Sequence, residues 1–168
     1  MEISFENVSP EAVFITTLES EELKKAKKLN QITKNRLSGN SFIDEFANLF
    51  SIHKKKTIGF YEKQMKLPPN SLTVLFLLHS KISFKEWSNK YLLLCAKELL
   101  LDTNYTLDEI GKRLGFASIS SFSKWFIRQE NQVPSKWRDV LKEKKMLQDK
   151  ELMEKILTKI HNGELIID

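Results

Sequence analysis

The sequence predicts an all-α fold in which two helix-turn-helix subdomains are joined by a long central helix and flanked by N- and C-terminal appendages. Three observations support this prediction. Between residues 41 and 141, apolar residues recur at the three- and four-residue spacing of amphipathic helices. A glycine at position 115 separates two short helical segments, each preceded by a hydroxyl residue that can cap it. The longest periodic stretch, residues 83–101, separates this pair of segments from an earlier pair.

The segment 106–137 carries the clearest pattern. Thr106 and Glu109 have the spacing of a capping box, so a helix is expected to begin there. Gly115 ends that helix, because glycine adopts a left-handed conformation without steric cost. Ser118 can cap a second helix, on which Phe122 and Phe126 share the inward face, and Phe116 is expected to point inward as well. Two short helices across a tight turn form a helix-turn-helix. The first helix has the apolar stripe Leu107, Ile110 and Leu114.

The outward face of the second helix, 118–128, carries short polar side chains and one cation. A helix that enters a DNA major groove needs such side chains to reach base edges. Its outward residues are Ile119, Ser120, Ser123, Lys124 and Ile127.

The spaced residues of this segment resemble the carboxy-terminal signature of the AraC/XylS family of transcription regulators. The matching positions are Ile110, Leu114-Gly115-Phe116, Ser121, Phe122, Lys124, Phe126 and Val133-Pro134-Ser135. The resemblance extends over residues 42–141 and implies a sequence-specific regulator that binds double-stranded DNA. This sequence departs from the family at three places: Gly111 replaces alanine, Lys124 replaces arginine, and Asn131-Gln132 replaces a threonine-glycine turn.

The family has two such motifs in tandem, and residues 57–79 match the upstream one. The matching positions are Tyr61, Leu67, Pro69-Asn70, Leu72 and Leu75-Phe76. In the predicted upstream recognition helix, 69–78, Val74 replaces the usual arginine and Leu77-Leu78 replaces two basic residues, while Lys81 replaces a glycine. No side chain there can read guanine bidentately, and Val74, Leu77 and Leu78 should form an exposed apolar patch.

The proposed contacts with DNA fall into two groups. The expected base contacts are Ile119, Ser120, Ser123 and Lys124, with weaker upstream reading by Asn70, Ser71, Thr73 and Val74. The expected phosphate contacts are Lys55, Lys56, Lys112, Ser121, Arg128 and Lys136. The helix at 83–101 would be about 27 Å long at roughly 1.5 Å per residue. With the widths of the flanking motifs, that length can set two recognition helices one DNA turn apart.

Charge follows the same division of the chain. The net charge of the 168 residues is +5. Residues 1–40 and 141–168 each balance six basic against six acidic residues, so the whole excess lies in the middle. A basic surface attracts the phosphate backbone whatever the base sequence.

Other classes of function find little support. Cys95 is the only cysteine, which excludes an intramolecular disulfide and suits a reducing cytoplasm. The resemblance implies a bacterial cytoplasm, where the protein would associate with the nucleoid. Cys95 lies on the apolar side of its helix, so we expect a buried thiol. His53, His79 and His161 lack metal-ligand spacing, and no glycine-rich phosphate loop or serine-histidine-acid pattern occurs. We expect no enzyme activity, no metal, no cofactor and no membrane segment.

The appendages are less clearly defined. Residues 1–40 are expected to be a linker or packing arm, with a strand at 13–17 and a polar helix at 21–38. Ser41 should cap the next helix, which the run Lys54-Lys55-Lys56 ends. Pro134 should begin a last helix, with Trp137 and Leu141 inward and Lys136 and Arg138 outward. The tail, 142–168, should remain helical to about His161, with the apolar stripe Met146, Met153, Ile156, Leu157 and Ile160.

Several alternatives stay open. The tail is expected either to pack on its own domain or to form a homodimer. RNA polymerase or another transcription component is the partner that the resemblance implies. The protein could instead be a protein-interaction module whose upstream motif has decayed, or the output half of a split regulator.

Overall fold

The computed structural model describes residues 8–17 and 38–162, and within these ranges it contains seven α-helices and no β-strand. The predicted all-α fold is confirmed. The helices are α1 Ser41–His53, α2 Ile58–Gln64, α3 Ser71–Ser80, α4 Phe84–Asp102, α5 Leu107–Arg113, α6 Ile119–Glu130 and α7 Pro134–His161.

Side-chain caps set most of the helix starts. Thr57, Ser83, Thr106 and Ser118 each accept a backbone N–H from the residue three positions on. Both helices of the downstream pair have a complete capping box, so four backbone donors are satisfied locally. The predicted cap at Ser41 is wrong by one residue, because Asn40 Oδ1 accepts from the amide of Ile43 at 3.2 Å.

The core is built largely from aromatic rings. In the upstream half, Phe46 packs at 4.7–5.2 Å between ring centroids against Tyr61, Phe76 and Trp87. In the downstream half, rings at 5.1–6.4 Å connect Phe116, Phe122, Trp125, Phe126 and Trp137. Buried residues of α4, including Cys95, join the two halves into one core, which confirms the buried thiol.

Two glycines allow close approaches. Gly115 has φ +86°, and a Cβ there would lie 3.0 Å from the Lys55 carbonyl oxygen. The Lys55 amide in turn donates to the Leu114 oxygen at 3.2 Å, so the downstream turn is joined to the loop between α1 and α2. A Cβ at Gly111 would lie 3.2 Å from Phe122 Cβ, so the missing alanine methyl lets α5 approach α6 closely.

The pairs α2–α3 and α5–α6 repeat the same design. On α3, Leu72 and Phe76 are fully buried, and on α6 Phe122 and Phe126 are fully buried at positions fifty residues later. Each of these helices ends at a left-handed residue, Lys81 with φ 62° and Asn131 with φ 54°. Positions fifty apart on α3 and α6 are therefore structurally equivalent.

Residues 8–17 form an arm that packs on α4. Trp87 Nε1 donates to the Val8 oxygen at 3.1 Å, and the Ile15 amide donates to the Tyr91 hydroxyl at 3.0 Å. The Thr17 amide donates to Glu98 at 2.7 Å. The predicted strand at 13–17 is wrong, because these amides bond to side chains of a helix rather than to another strand. Apart from Ser38, the helix predicted at 21–38 falls outside the described residues.

The last helix begins at Pro134 and continues to His161, as predicted. Trp137 is buried, but Arg138 is not outward: its guanidinium donates to the carbonyl oxygens of Leu100 at 3.1 Å and Tyr105 at 2.7 Å. After Lys145, which pairs with Asp102 at 3.2 Å, the helix extends away from the domain. The stripe residues Met146, Met153 and Leu157 are 68%, 58% and 57% exposed. The expectation that the tail packs on its own domain is therefore wrong for these residues.

Candidate nucleic-acid interface

The outward face of α6 is formed as the sequence predicted. Phe122, Trp125 and Phe126 point into the core, which leaves Ile119, Ser120, Lys124 and Ile127 exposed and Ser123 half-buried on the outer surface. A twelve-residue helix with one apolar face and one polar face can present its outer residues only when the inner face is fixed. The inner face thus determines which side chains can reach a ligand.

Several polar contacts fix α6 from behind. Trp125 Nε1 donates to Asn89 Oδ1 on α4 at 3.1 Å. Glu130 pairs with Lys97 at 2.8 Å and accepts from Trp137 Nε1 at 3.1 Å. Sequence reasoning assigned no inward role to Trp125, although its position three residues after Phe122 was a usable signal. These contacts hold α6 against both α4 and α7.

The exposed cations near α6 are available for binding. In the described part of the chain no carboxylate pairs with Lys124, Arg128 or Lys136, and all three are exposed. Positively charged groups without local partners gain most from an approaching polyanion.

Two of the expected phosphate contacts are already engaged inside the protein. Lys112 pairs with Asp108 at 2.6 Å, and this hydrogen bond raises the pKa of the lysine. The Ser121 hydroxyl donates to the Ser118 oxygen at 2.8 Å within the capping box. To donate to a phosphate, the Ser121 hydroxyl must give up its internal bond, whereas the Lys112 ammonium has three donors and would share its charge with Asp108.

The three lysines that follow α1 differ in how far they are buried. Lys54 is only 4% exposed and ends the helix with φ 54°, whereas Lys55 and Lys56 are exposed. Lys55 Nζ lies 4.7 Å above the ring of Phe116, next to the downstream turn. The structure therefore brings Lys55 beside the downstream motif, although the residue precedes the upstream one in sequence.

The outer surface of α3 is apolar, as predicted. Val74, Leu77 and Leu78 are 56%, 49% and 61% exposed, and they form the patch that we call the α3 patch. At the start of the helix, Asn70 is exposed with φ 65° and makes no capping bond. Ser71 Oγ donates to the Pro68 oxygen at 2.6 Å.

A buried acid supports the start of α3. Glu62 on α2 is only 6% exposed, and its carboxylate accepts from the Leu72 amide at 3.2 Å. A carboxylate at a helix N-terminus complements the helix dipole and occupies a donor that a phosphate would otherwise use. Sequence reasoning missed this residue, since no local motif marks a cap supplied from the preceding helix.

The described ranges give no support for a metal site. There, no group of three or more His, Cys, Asp or Glu side chains is placed to hold a metal ion. Burial raises the pKa of the Cys95 thiol. None of the helices in these ranges combines the length and apolar character needed to cross a bilayer.

Comparison with known proteins identifies the central segment. Residues 61–139 match the family model described as a helix-turn-helix domain. The chain is 30% identical over 77 residues to the regulatory protein PocR of Salmonella typhimurium, which covers 46% of this chain and 25% of PocR. It is 37% identical over 46 residues to the uncharacterized HTH-type transcriptional regulator YobQ of Bacillus subtilis, covering 27% and 19% of the two chains. The matched segment therefore spans a quarter or less of either relative.

Two solved structures share the fold. The DNA-binding domain of AdpA, a global transcriptional factor crystallised with a target DNA, matches 55% of this chain and 83% of its own with a TM-score of 0.50 and 21% identity. A protein of unknown function from Listeria innocua matches 60% of this chain and 98% of its own with a TM-score of 0.52 and 20% identity. The arrangement of helices described above is thus one that other chains also adopt.

Proposed function

We propose that this chain acts as an AraC-type, sequence-specific transcription regulator that binds double-stranded DNA through its helix-turn-helix domain at residues 61–139. One observation carries this proposal: the fixed helix α6 presents small polar side chains and an unpaired lysine on an exposed face. These are the groups that reach base edges in a major groove.

In the proposed mechanism α6 supplies direct readout. Lys124 donates to guanine O6 or N7, while Ser120 and Ser123 form hydrogen bonds to neighbouring bases and Ile119 contacts a thymine methyl. Lysine is a flexible point charge, so its discrimination is softer than that of a planar guanidinium.

Phosphate contacts fix the register of α6 in the groove. We assign them first to Lys55, Lys56, Arg128 and Lys136, which are exposed and have no carboxylate partner in the described ranges. Lys112 and Ser121 are secondary candidates, because each has an internal partner.

We also propose the division of the chain into a DNA-binding unit, 41–141, with an N-terminal appendage at 1–40 and a tail at 142–168. Within the unit the motifs are 57–79 and 106–128, and the linker helix is 83–101. The observed α4 has 19 residues, which gives about 28 Å at roughly 1.5 Å per residue. A helix of that length, together with the widths of the flanking helix pairs, suits two major-groove faces about 34–36 Å apart.

Selection of bound sites from random duplexes, followed by affinity measurements across salt concentrations, tests the proposal. We expect two boxes about one helical turn apart and an affinity that falls steeply with salt, because bound phosphates release counterions. The absence of duplex binding, together with self-association through the α3 patch, would instead support the protein-interaction module. A requirement for a second protein would support the split regulator.

The exposed stripe of α7 favours a homodimer through the tail. We expect sedimentation analysis to show a dimer that Met153→Lys dissociates, because the substitution places a charge in the apolar stripe. Thr158→Lys adds the same charge on the opposite side of the helix and should leave the dimer intact. A wild-type chain that sediments as a monomer would contradict this assignment.

RNA polymerase or another transcription component is the further partner that we propose, and the bacterial cytoplasm, in association with the nucleoid, is the proposed location. Both rest on the resemblance of the chain to regulators of this type.

A further inference from the structure

At two equivalent positions the two recognition helices present opposite chemistry, a cation on α6 and an apolar side chain on α3. Fifty residues before Lys124 stands Val74, and fifty before Arg128 stands Leu78. Leu77 is equivalent to Ile127. The two cations of α6 are therefore replaced by apolar side chains on α3, where Val74, Leu77 and Leu78 are all about half exposed or more.

Few hydrogen-bond donors remain on α3 to read a base. The helix contains no lysine or arginine. His79 is half-buried, its ring stacks on Phe42 at 5.0 Å between centroids, and its Nδ1 accepts from Asn40 Nδ2 at 2.8 Å. The Ser71 hydroxyl bonds to Pro68, and the Leu72 amide bonds to Glu62. Only Asn70 and Thr73 are left as exposed polar readers.

The major groove offers such a helix one apolar partner. Each base pair presents donors and acceptors there, and the C5 methyl of thymine is the only apolar group. The α3 patch occupies positions i, i+3 and i+4 of one helix face, so its side chains lie next to one another along the groove direction.

We propose that α3 reads the methyl groups of thymines, so that the preferred duplex has one box read mainly by hydrogen bonds and charge and a second, thymine-rich box read by the α3 patch. This rests on the proposed function of the chain as a DNA-binding regulator. The structural equivalence of α3 and α6 favours DNA over a protein as the partner of the patch, because each is the second helix of a helix pair of the same design and each packs its inner face against α4.

The proposal predicts that the two boxes contribute differently to the salt dependence of DNA affinity. Burial of methyl groups does not release counterions, so the upstream box adds affinity without adding to the salt dependence. Mutation of the downstream box should reduce the salt dependence, whereas mutation of the upstream box should lower affinity by a similar factor at every salt concentration.

Replacement of thymine by deoxyuridine in the upstream box tests this directly, because it removes the methyl group and leaves every hydrogen-bonding group in place. We expect the wild-type protein to lose about 3- to 5-fold in affinity for each methyl group that it contacts. The double variant Val74→Ala, Leu78→Ala should bind both duplexes with nearly equal affinity. Both side chains are more than half exposed, so the variant should fold normally.

Two controls complete the design. When thymine is replaced by deoxyuridine in the downstream box instead, the resulting change in affinity should be the same for the wild-type protein and the double variant. Val74→Arg should tighten duplex binding without lengthening the footprint, because it adds a cation to a helix that already lies in the groove; an unchanged affinity would show that α3 stays outside the groove and would overturn the proposal.

The outcomes separate this proposal from the one on which it rests. Equal wild-type affinity for thymine and deoxyuridine duplexes, with the downstream box still bound, overturns methyl reading and leaves the regulator intact. Failure to bind any selected duplex overturns both. Loss of self-association in the double variant, with no change in DNA affinity, would assign the α3 patch to a protein.

Discussion

Replacement of Lys124 by alanine is expected to weaken binding to the preferred duplex by about 1–3 kcal/mol, roughly 5- to 150-fold, and to relax the preference at one base position. The reason is geometric. Lys124 is the only cation on the outer face of α6 between Ile119 and Ile127, and it has no carboxylate partner in the described part of the chain. Competition titrations against duplexes altered at each position provide the measurement.

The matched control is Lys144→Ala, which removes the same charge from the exposed surface of α7. It should change affinity by less than about twofold, as expected for a distant charge in screening salt. If Lys124→Ala weakens every duplex equally, Lys124 contacts a phosphate and its assignment to a base is wrong.

A Phe126→Ala substitution should lower the free energy of unfolding by about 3–5 kcal/mol, the cost of emptying a large buried site. Phe126 is fully buried, with its ring 5.9 Å from that of Phe122 and 5.8 Å from that of Trp137, centroid to centroid. Loss of this ring removes support from both α6 and α7. Urea unfolding monitored by circular dichroism provides the value.

Ile127→Ala is the neighbouring control, since this residue is 38% exposed and lies on the outer face of the same helix. It should cost less than about 1 kcal/mol, in line with most substitutions at partly exposed sites. A similar loss in both variants would contradict the assignment of inner and outer faces on α6.

Features that depend on neighbouring residues were predictable from the sequence. The caps at Thr106 and Ser118, the left-handed Gly115 and the inward Phe122 each follow from chemistry within four residues. The same logic failed by one position at Asn40, because asparagine and serine both cap helices and stand side by side there.

Features that depend on distant residues were not predictable. Arg138 was expected outward, yet it donates to two carbonyl oxygens at the end of α4 and the loop that follows, more than thirty positions earlier in the chain. The arm at 8–17 was expected to hold a strand because its residues favour extended backbone, but its hydrogen-bond partners lie on α4. Nothing in a local pattern indicates which distant group will face an unpaired amide.

The candidate DNA-binding site, too, could be predicted from the sequence only in part. The outer residues of α6 and the apolar character of α3 could be identified from helical periodicity. The internal partners of Lys112, Ser121 and the Leu72 amide could not be ranked in advance, because each is one of several polar contacts that the sequence allows.

The hydrogen bond from the Lys55 amide to the Leu114 oxygen, beside Gly115, has a mechanical consequence. Because the loop that precedes the upstream motif is bonded to the turn of the downstream motif, the protein itself restrains the position of α3 relative to α6. Each base pair inserted between two boxes rotates the second box by roughly 35° about the duplex axis, given about 10–10.5 base pairs per turn. If both helices bind DNA as proposed, a binding site can therefore vary in base sequence more easily than in the spacing between its two boxes. A change in that spacing has to be accommodated by twisting the DNA.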